Sequence, residues 1–408
     1  MRRIFEFLIS FLLIASIVFP SGLVEIKLVL FLGALFFALS LGMNEGFIIG
    51  DKSIIFWIGY PILGLAWSLY GIAMGNPGAV RVLSVMFFYP LIFPIFAFCY
   101  KSSYNEKLFR VFKISAWVVV IFDLLYITAM ILNEATIVNI VEGIFKNQMY
   151  SVTDAEDYFK FTLPNISSLL FLIPCIVVSV MFGYTRIKIY DGVLIFLMLL
   201  VGVLSGRRAL FVTAGMGPLL AYVMTFGTTQ HNKLSFVHRS RSRWIILFAL
   251  FIAMLWFFHV FERSDYYIDQ LFSVFDFSEN TSNIERRMQF YALLEGWGNS
   301  PIFGAGAGAA AEYSRSIEQP WAYELSYVAF LFQYGIIGFL LYAGGICFIV
   351  YRLRQIILLR GRKSFHFCVL AGFISFLIAN ATNPYLAKFD YMWVIFLPFA
   401  LINIRMDG

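Results

Sequence analysis

Five residues of this sequence have the types and the surroundings to do chemistry: Arg207, Arg208, Arg286, Arg287 and Glu324. A guanidinium presents a rigid, planar fork of N–H donors that matches the oxygens of a phosphate or pyrophosphate. A carboxylate at the mouth of an apolar segment is placed to take a proton from a hydroxyl. Each group also has a plainer reading. Arg207 and Arg208, in Ser205-Gly206-Arg207-Arg208, could anchor a helix end by snorkelling, since two charges at the edge of a hydrocarbon layer must reach water or meet anions. Arg286 and Arg287 could be harmless on a surface helix. Glu324 could be an interfacial acid paired with a nearby arginine.

The elements that must position these groups are legible around residues 283–342. Ile284, Met288 and Tyr291, with Phe290, Leu293, Leu294 and Trp297, recur at helical spacing and predict a short amphipathic helix lying on a surface. Asn299-Ser300-Pro301 stops it, because proline cannot continue a helix and pushes the preceding residue out of the α region. Gly304, Gly306 and Gly308 follow at alternate positions, so the backbone can approach something bulky. The run has no Lys-Ser/Thr of a phosphate-binding loop and no strand before it, so it reads as a flexible or re-entrant loop rather than a nucleotide motif. Glu324, behind Trp321 and Tyr323, then opens a long apolar helix.

With 61% hydrophobic, 19% aromatic and only 13% charged residues, the chain cannot hide its apolar surface as a soluble protein would. It reads as an all-α, polytopic membrane protein, and its net charge of +6 reports topology rather than a nucleic-acid partner. About twelve spans are predicted from the length needed to cross a bilayer: 4–20, 26–42, 53–74, 82–100, 111–132, 163–183, 189–205, 208–226, 244–260, 323–351, 365–382 and 390–405. The start of the chain reads as a first anchor, not a cleaved signal. With alternate loops assigned to opposite sides, the side of the N terminus carries 19 of the 30 Lys and Arg residues, which predicts both termini in the cytoplasm. The chain 1–408 is then one membrane domain with two long outer loops, 133–162 and the larger 261–322 before the tenth helix. Both arginine pairs fall on the outer side, against the positive-inside bias, and a shared anion site accounts for that.

Other candidates carry less. His259 ends a span beside Glu262 and Arg263 and reads as an interface residue; His231, His238 and His366 fall on the cytoplasmic side. Asp154-Ala155-Glu156-Asp157 is a solvated acidic loop, and no metal or other cofactor is expected. The four cysteines lie in or beside apolar spans, which leaves none for an external disulfide. Tyr150, Tyr158, Tyr266, Tyr267, Tyr313 and Trp321 crowd the outer loops, where they serve either an aromatic belt or a glycan groove.

Two stretches carry a family resemblance. R-M-Q-F-Y-A-L-L-E-G-W-G-N-S-P-I-F-G-A-G-A-G followed by Y-E-L-S-Y-V-A-F-L-F-Q-Y-G-I-I-G-F-L resembles the C-terminal region of bacterial O-antigen polymerases (Wzy type) and O-antigen ligases. S-G-R-R-A-L-F is similar to that superfamily's Ser-x-Arg segment at the start of a transmembrane helix. The likeness covers most of the second half; the first half matches in hydropathy alone. It implies a membrane glycosyltransferase C-like fold in the bacterial inner membrane, with a metal-independent, inverting active site facing the periplasm.

The resemblance also implies the substrates. Undecaprenyl-pyrophosphate-linked repeat units serve as donor and acceptor, membrane lipid surrounds the site, and a chain-length regulator protein is a further partner. Arg208, Arg287 and Glu324 take the catalytic roles, with Arg207, Arg286, Tyr323, Tyr291, Gly304 and Gly306 binding substrate. Ligases of the superfamily have His-Asn where this chain has Tyr323-Glu324. That departure favours the polymerase, with Glu324 activating the acceptor hydroxyl. The alternatives are a ligase acting on lipid A-core and a lipid-linked oligosaccharide flippase, while a solute transporter would place its key residues mid-membrane at broken helices.

Overall fold

The computed structural model describes residues 1–145, 152–154, 158–160, 163–185, 188–205, 207–226, 281–314 and 316–403. The predicted span 244–260, with His231, His238, His259, Tyr150, Tyr266 and Tyr267, lies outside them. The described residues are overwhelmingly helical, as a chain must be whose backbone polar groups have to be satisfied inside lipid. In order they are α1 (Arg2–Val18), α2 (Val24–Glu45), α3 (Asp51–Ala73), α4 (Ala79–Leu83), α5 (Tyr89–Phe98), α6 (Asn105–Ile131), α7 (Ala135–Ile144), α8 (Ile166–Phe182), α9 (Ile189–Leu204), α10 (Arg208–Met224), α11 (Thr281–Asn299), α12 (Ser326–Arg360), α13 (Phe365–Asn380) and α14 (Trp393–Ile402). A π-helical turn, Ser84–Phe88, joins α4 to α5. Two three-residue antiparallel strands, β1 (Val152–Asp154) and β2 (Tyr158–Lys160), pair in the loop before α8.

Among the described residues five stretches are long and apolar enough to cross a membrane: Val24–Glu45, Ser53–Ala73, Ala79–Phe98, Ser102–Ile131 and Ser326–Arg360. Shorter apolar helices accompany them, so the chain is a polytopic membrane protein. Its described residues divide into two compact units, one made of Met1–Phe37, Ser103–Asp276 and Leu353–Phe376, the other of Ala38–Ser102, Phe277–Arg352 and Leu377–Gly408.

In the first unit α8 is apolar on every side and buried along nearly its whole length, packed against α6, α9 and α10. Gly183, with φ +75°, closes its C terminus in the left-handed conformation that glycine adopts without strain. α6 buries one stripe, including Leu108, Phe112, Ser115, Val119, Asp123 and Tyr126. The carbonyls left over at the end of α10 are capped by arginines: Arg354 donates to Met224 O, and Arg362 donates to Tyr222 O and Thr225 O while stacking on the Tyr222 ring.

In the second unit α3 packs on α4, α5 and the π turn, and α5 packs on α14. In lipid there is no hydrophobic drive between helices, so close approach depends on small residues. At Gly64 of α3 an added Cβ would strike the Met86 carbonyl of the π turn.

α12 is a broken helix. Gly335, at φ +63° and ψ −175°, interrupts it between Tyr334 and Ile336. The break unmakes the bonds that the amides of Ile336 and Ile337 would form with the carbonyls of Phe332 and Gln333. The segment after α11 supplies all four partners. Ile336 N–H donates to Pro301 O and Ile337 N–H to Ile302 O, while Ala305 and Gly306 N–H donate to Phe332 O and Gln333 O. A gap in a membrane helix is tolerated on such terms, because these four backbone groups find protein partners.

Candidate functional site

The second unit assembles one cluster of the expected residues. α11 spans Thr281–Asn299 and stops at the predicted Asn299-Ser300-Pro301. Its buried stripe differs from the predicted apolar one. Gln289 and Leu293 are fully buried, whereas Met288 and Tyr291 are 49% and 64% exposed. Arg286 and Gln289 stand one turn apart on one face and meet the segment before α12. Arg286 Nε donates to Glu324 Oε2 at 2.8 Å, with both side chains partly buried. Gln289 Oε1 accepts the backbone N–H of Glu324 at 3.3 Å. Its Nε2 is buried and has no partner among the described residues. Two residues of one helix turn therefore hold Glu324, one by its carboxylate and one by its backbone. Arg287 is exposed on the other side of α11.

Tyr323 points away from water. It is 2% exposed, packs with Leu293, Ala309, Ala329 and Phe332, and accepts Ala311 N–H at 2.5 Å. Burial pushes its phenol above the usual range, against the lowering effect of the Ala311 bond. Tyr291 is on the exposed side of α11, with its ring edge-on to Phe290.

The glycine-rich loop is tied down rather than free. Gly304, Gly306 and Gly308 all have positive φ, and a Cβ on any of them would collide with the protein itself. For Gly304 the neighbours are Gln333 and Gly335; for Gly306 they are Asn76 and Gly71; for Gly308 they are Gly78 and Ala79. The bulky object these glycines approach is thus the chain's own backbone. Trp67 donates to Phe303 O at 2.8 Å, and Asn76 donates to Ala305 O at 2.9 Å and Ala307 O at 3.3 Å. The amides of Gly304 and Gly306 are taken by Ser300 O and Gln333 O. Gln333, largely buried, donates to Ala309 O and Trp321 O from the other side. Glu324 therefore follows a loop tied to α3, α12 and the Asn76 turn by hydrogen bonds.

The first unit holds Arg207, at the N-cap position of α10. It donates to Ser167 Oγ at 2.5 Å and to Leu163 O at 3.4 Å, both at the start of α8. Arg208 is the first residue of α10; its side chain lies outside the described residues. Next to this arginine the structure places a group the sequence reading passed over. Asp123, wholly buried in the membrane-spanning α6, accepts Asn165 Nδ2–H on Oδ1 at 2.7 Å. An ionisable residue inside a span is itself the signal that could have marked it. Among the described residues no group of three His, Cys, Asp or Glu side chains is arranged to hold a metal ion.

Fold and site together define the class: a polytopic membrane protein carrying one part-buried Arg–Glu pair in one unit and one arginine on paired helix N termini in the other. No family model matches the chain, and no curated protein matches it.

Proposed function

We propose that the chain is a membrane glycosyltransferase that polymerises O-antigen or a related surface polysaccharide at the periplasmic face of the inner membrane. A growing glycan is transferred from undecaprenyl pyrophosphate onto the non-reducing-end sugar of a new lipid-linked repeat unit. The observation that carries this reading is the Arg286–Glu324 pair with its Gln289 support, held behind a rigid glycine loop at the mouth of α12.

The chemistry asks for a base and for compensation of charge. Glu324 takes the proton of the acceptor hydroxyl as its oxygen attacks the anomeric carbon from the face opposite the pyrophosphate. The C–O bond to pyrophosphate breaks and the configuration inverts. Negative charge grows on the leaving diphosphate, where preorganised guanidiniums stabilise the transition state more than the ground state. Two lipid-linked diphosphates take part, and Arg286, Arg287, Arg207 and Arg208 are the residues assigned to their anionic groups. The residues present need no metal for this scheme.

The broken helix at Gly335 is the feature that supports a rival reading, a solute transporter. Four of the backbone groups beside that break, the carbonyls of Phe332 and Gln333 and the amides of Ile336 and Ile337, are engaged by residues 301–306 and are not held open for a ligand.

The test is glycan transfer by purified protein, with a native lipid-linked repeat unit as both donor and acceptor and no added metal. Wild type should give products that grow by whole repeats. Glu324→Gln should lose about 10²–10⁴-fold in rate, the usual share of a general base. Arg286→Ala and Arg207→Ala should each lose about 10²–10³-fold, the usual share of an electrostatic donor. Transfer only to lipid A-core would make the protein a ligase, and movement of the lipid without transfer would make it a flippase. Full activity in all three variants would remove the site assignment.

A further inference from the structure

Asp123 and Asn165 pose a question of hydrogen-bond accounting. Asp123 Oδ1 accepts Asn165 Nδ2–H at 2.7 Å, but Asp123 Oδ2 and Asn165 Oδ1 are both buried with no partner among the described residues. Both side chains are 0% exposed, and they stand on α6 and at the N-cap of α8. Asn165 also forgoes the usual work of an N-cap residue, since its side chain caps no amide of α8. Read as a carboxylate and an amide, the pair would leave two buried acceptors, one on each side chain, without a donor, which a native interior avoids.

One proton resolves both vacancies. We propose that Asp123 is a neutral carboxylic acid whose Oδ2–H donates to Asn165 Oδ1, closing a two-bond acid–amide ring with the Asn165 Nδ2–H···Oδ1 bond already present. The ring satisfies every polar atom of the two side chains that faces the other, and it puts no charge into the span.

The charged groups near α6 fit this assignment. Lys113 of α6 pairs with Asp191 of α9, ten residues and about 15 Å along the helix from Asp123. Glu6 of α1 pairs with Lys107, and Glu142 of α7 bears on Tyr126. The charge that bears on Asp123 is the Arg207 guanidinium. Arg207 itself is held by Ser167 Oγ and Leu163 O, which flank Asn165 in the sequence. The ring pins this first turn of α8 and so positions Arg207, while a neutral Asp123 does not cancel the arginine's charge. Asp123 is thus a positioning residue in the function proposed above. Only this last step rests on that function; the ring itself does not.

The experiment uses the full-length protein in lipid nanodiscs at neutral pH. An infrared difference spectrum between wild type and Asp123→Asn should show a protonated-carboxyl stretch in wild type that the variant lacks. An asparagine at 123 offers N–H in place of O–H and rebuilds the ring, so D123N should unfold at the wild-type temperature and keep kcat and KM for transfer. D123A and N165A should both unfold at lower temperature. A wild-type spectrum without that band, together with D123N as unstable as D123A, would show an ionised Asp123 and overturn the proposal. Because spectrum and stability need no substrate, failure of all transfer activity with the band present would refute the functional reading and leave the ring standing.

Discussion

At the scale of single residues the structure separates groups that the sequence presents as equals. Tyr323 and Glu324 are neighbours in the chain, yet one is sealed in an apolar cluster and the other is held by Arg286 and Gln289. Tyr323→Phe removes the acceptor of the Ala311 amide and should cost about 1 kcal/mol, read as a lowered unfolding temperature with transfer activity retained. The buried phenol has a further consequence for pH. Its folded-state ionisation lies above the usual 10.0, so its contribution to stability is complete below about pH 10 and is lost as pH rises beyond it. Unfolding scans in alkaline buffer should show wild type losing stability there more steeply than Y323F. Gln289→Leu keeps the volume but frees the Glu324 amide from its acceptor. It should lower the transfer rate at least tenfold while the affinity for the lipid-linked substrate holds, because what it disturbs is the aim of the carboxylate.

At the scale of elements the glycines are the clearest test. Gly304→Ala and Gly306→Ala each force an L residue into positive φ and drive a Cβ into packed backbone, so each should lose more than about 2 kcal/mol. Gly215 in α10 has open space around it, and Gly215→Ala should be neutral or stabilising by up to about 1 kcal/mol. Thermal unfolding of the solubilised protein reads both. Much at this scale was legible beforehand. The stop at Asn299-Ser300-Pro301 and the helix opening behind Glu324 follow from proline geometry and apolar length alone, and the structure has both. The loop between them was not legible. Its glycines mark a close approach, but the partners are Trp67 and Asn76 more than two hundred residues away, together with a break in α12 that leaves no periodicity signal. The inward face of α11 carries no signal of its own in the sequence for a related reason. Arg286 and Gln289 are turned inward by Glu324, and hydrophobic spacing carries no information about a polar partner. Asp123 and Asn165 stand 42 positions apart, and nothing local joins them.

At the scale of the molecule, composition alone indicates a membrane protein, and orientation is the property to measure. α12 is 35 residues long but broken at Gly335, and its part from Ile336 to Arg360 alone rises about 37 Å, beyond the roughly 30 Å of a hydrocarbon core. Ile317, before it, and Lys363, after it, are both exposed. In a Cys347→Ser background, a cysteine at 317 should react with an impermeant maleimide in cells whose outer membrane is opened, and a cysteine at 363 only after the inner membrane is breached. The reverse pattern would invert the topology. The splice at Gly335 bears, finally, on the order of synthesis. Residues 300–306 leave the ribosome before the helix whose gap they fill, so at that moment the carbonyls of Pro301 and Ile302 and the amides of Ala305 and Gly306 have no counterpart. When residues 326–337 emerge, the template is already waiting, and α12 need not cross the bilayer as a finished rod. Its two halves can be stitched onto a segment made earlier, which makes the timing of translation part of how this helix is built.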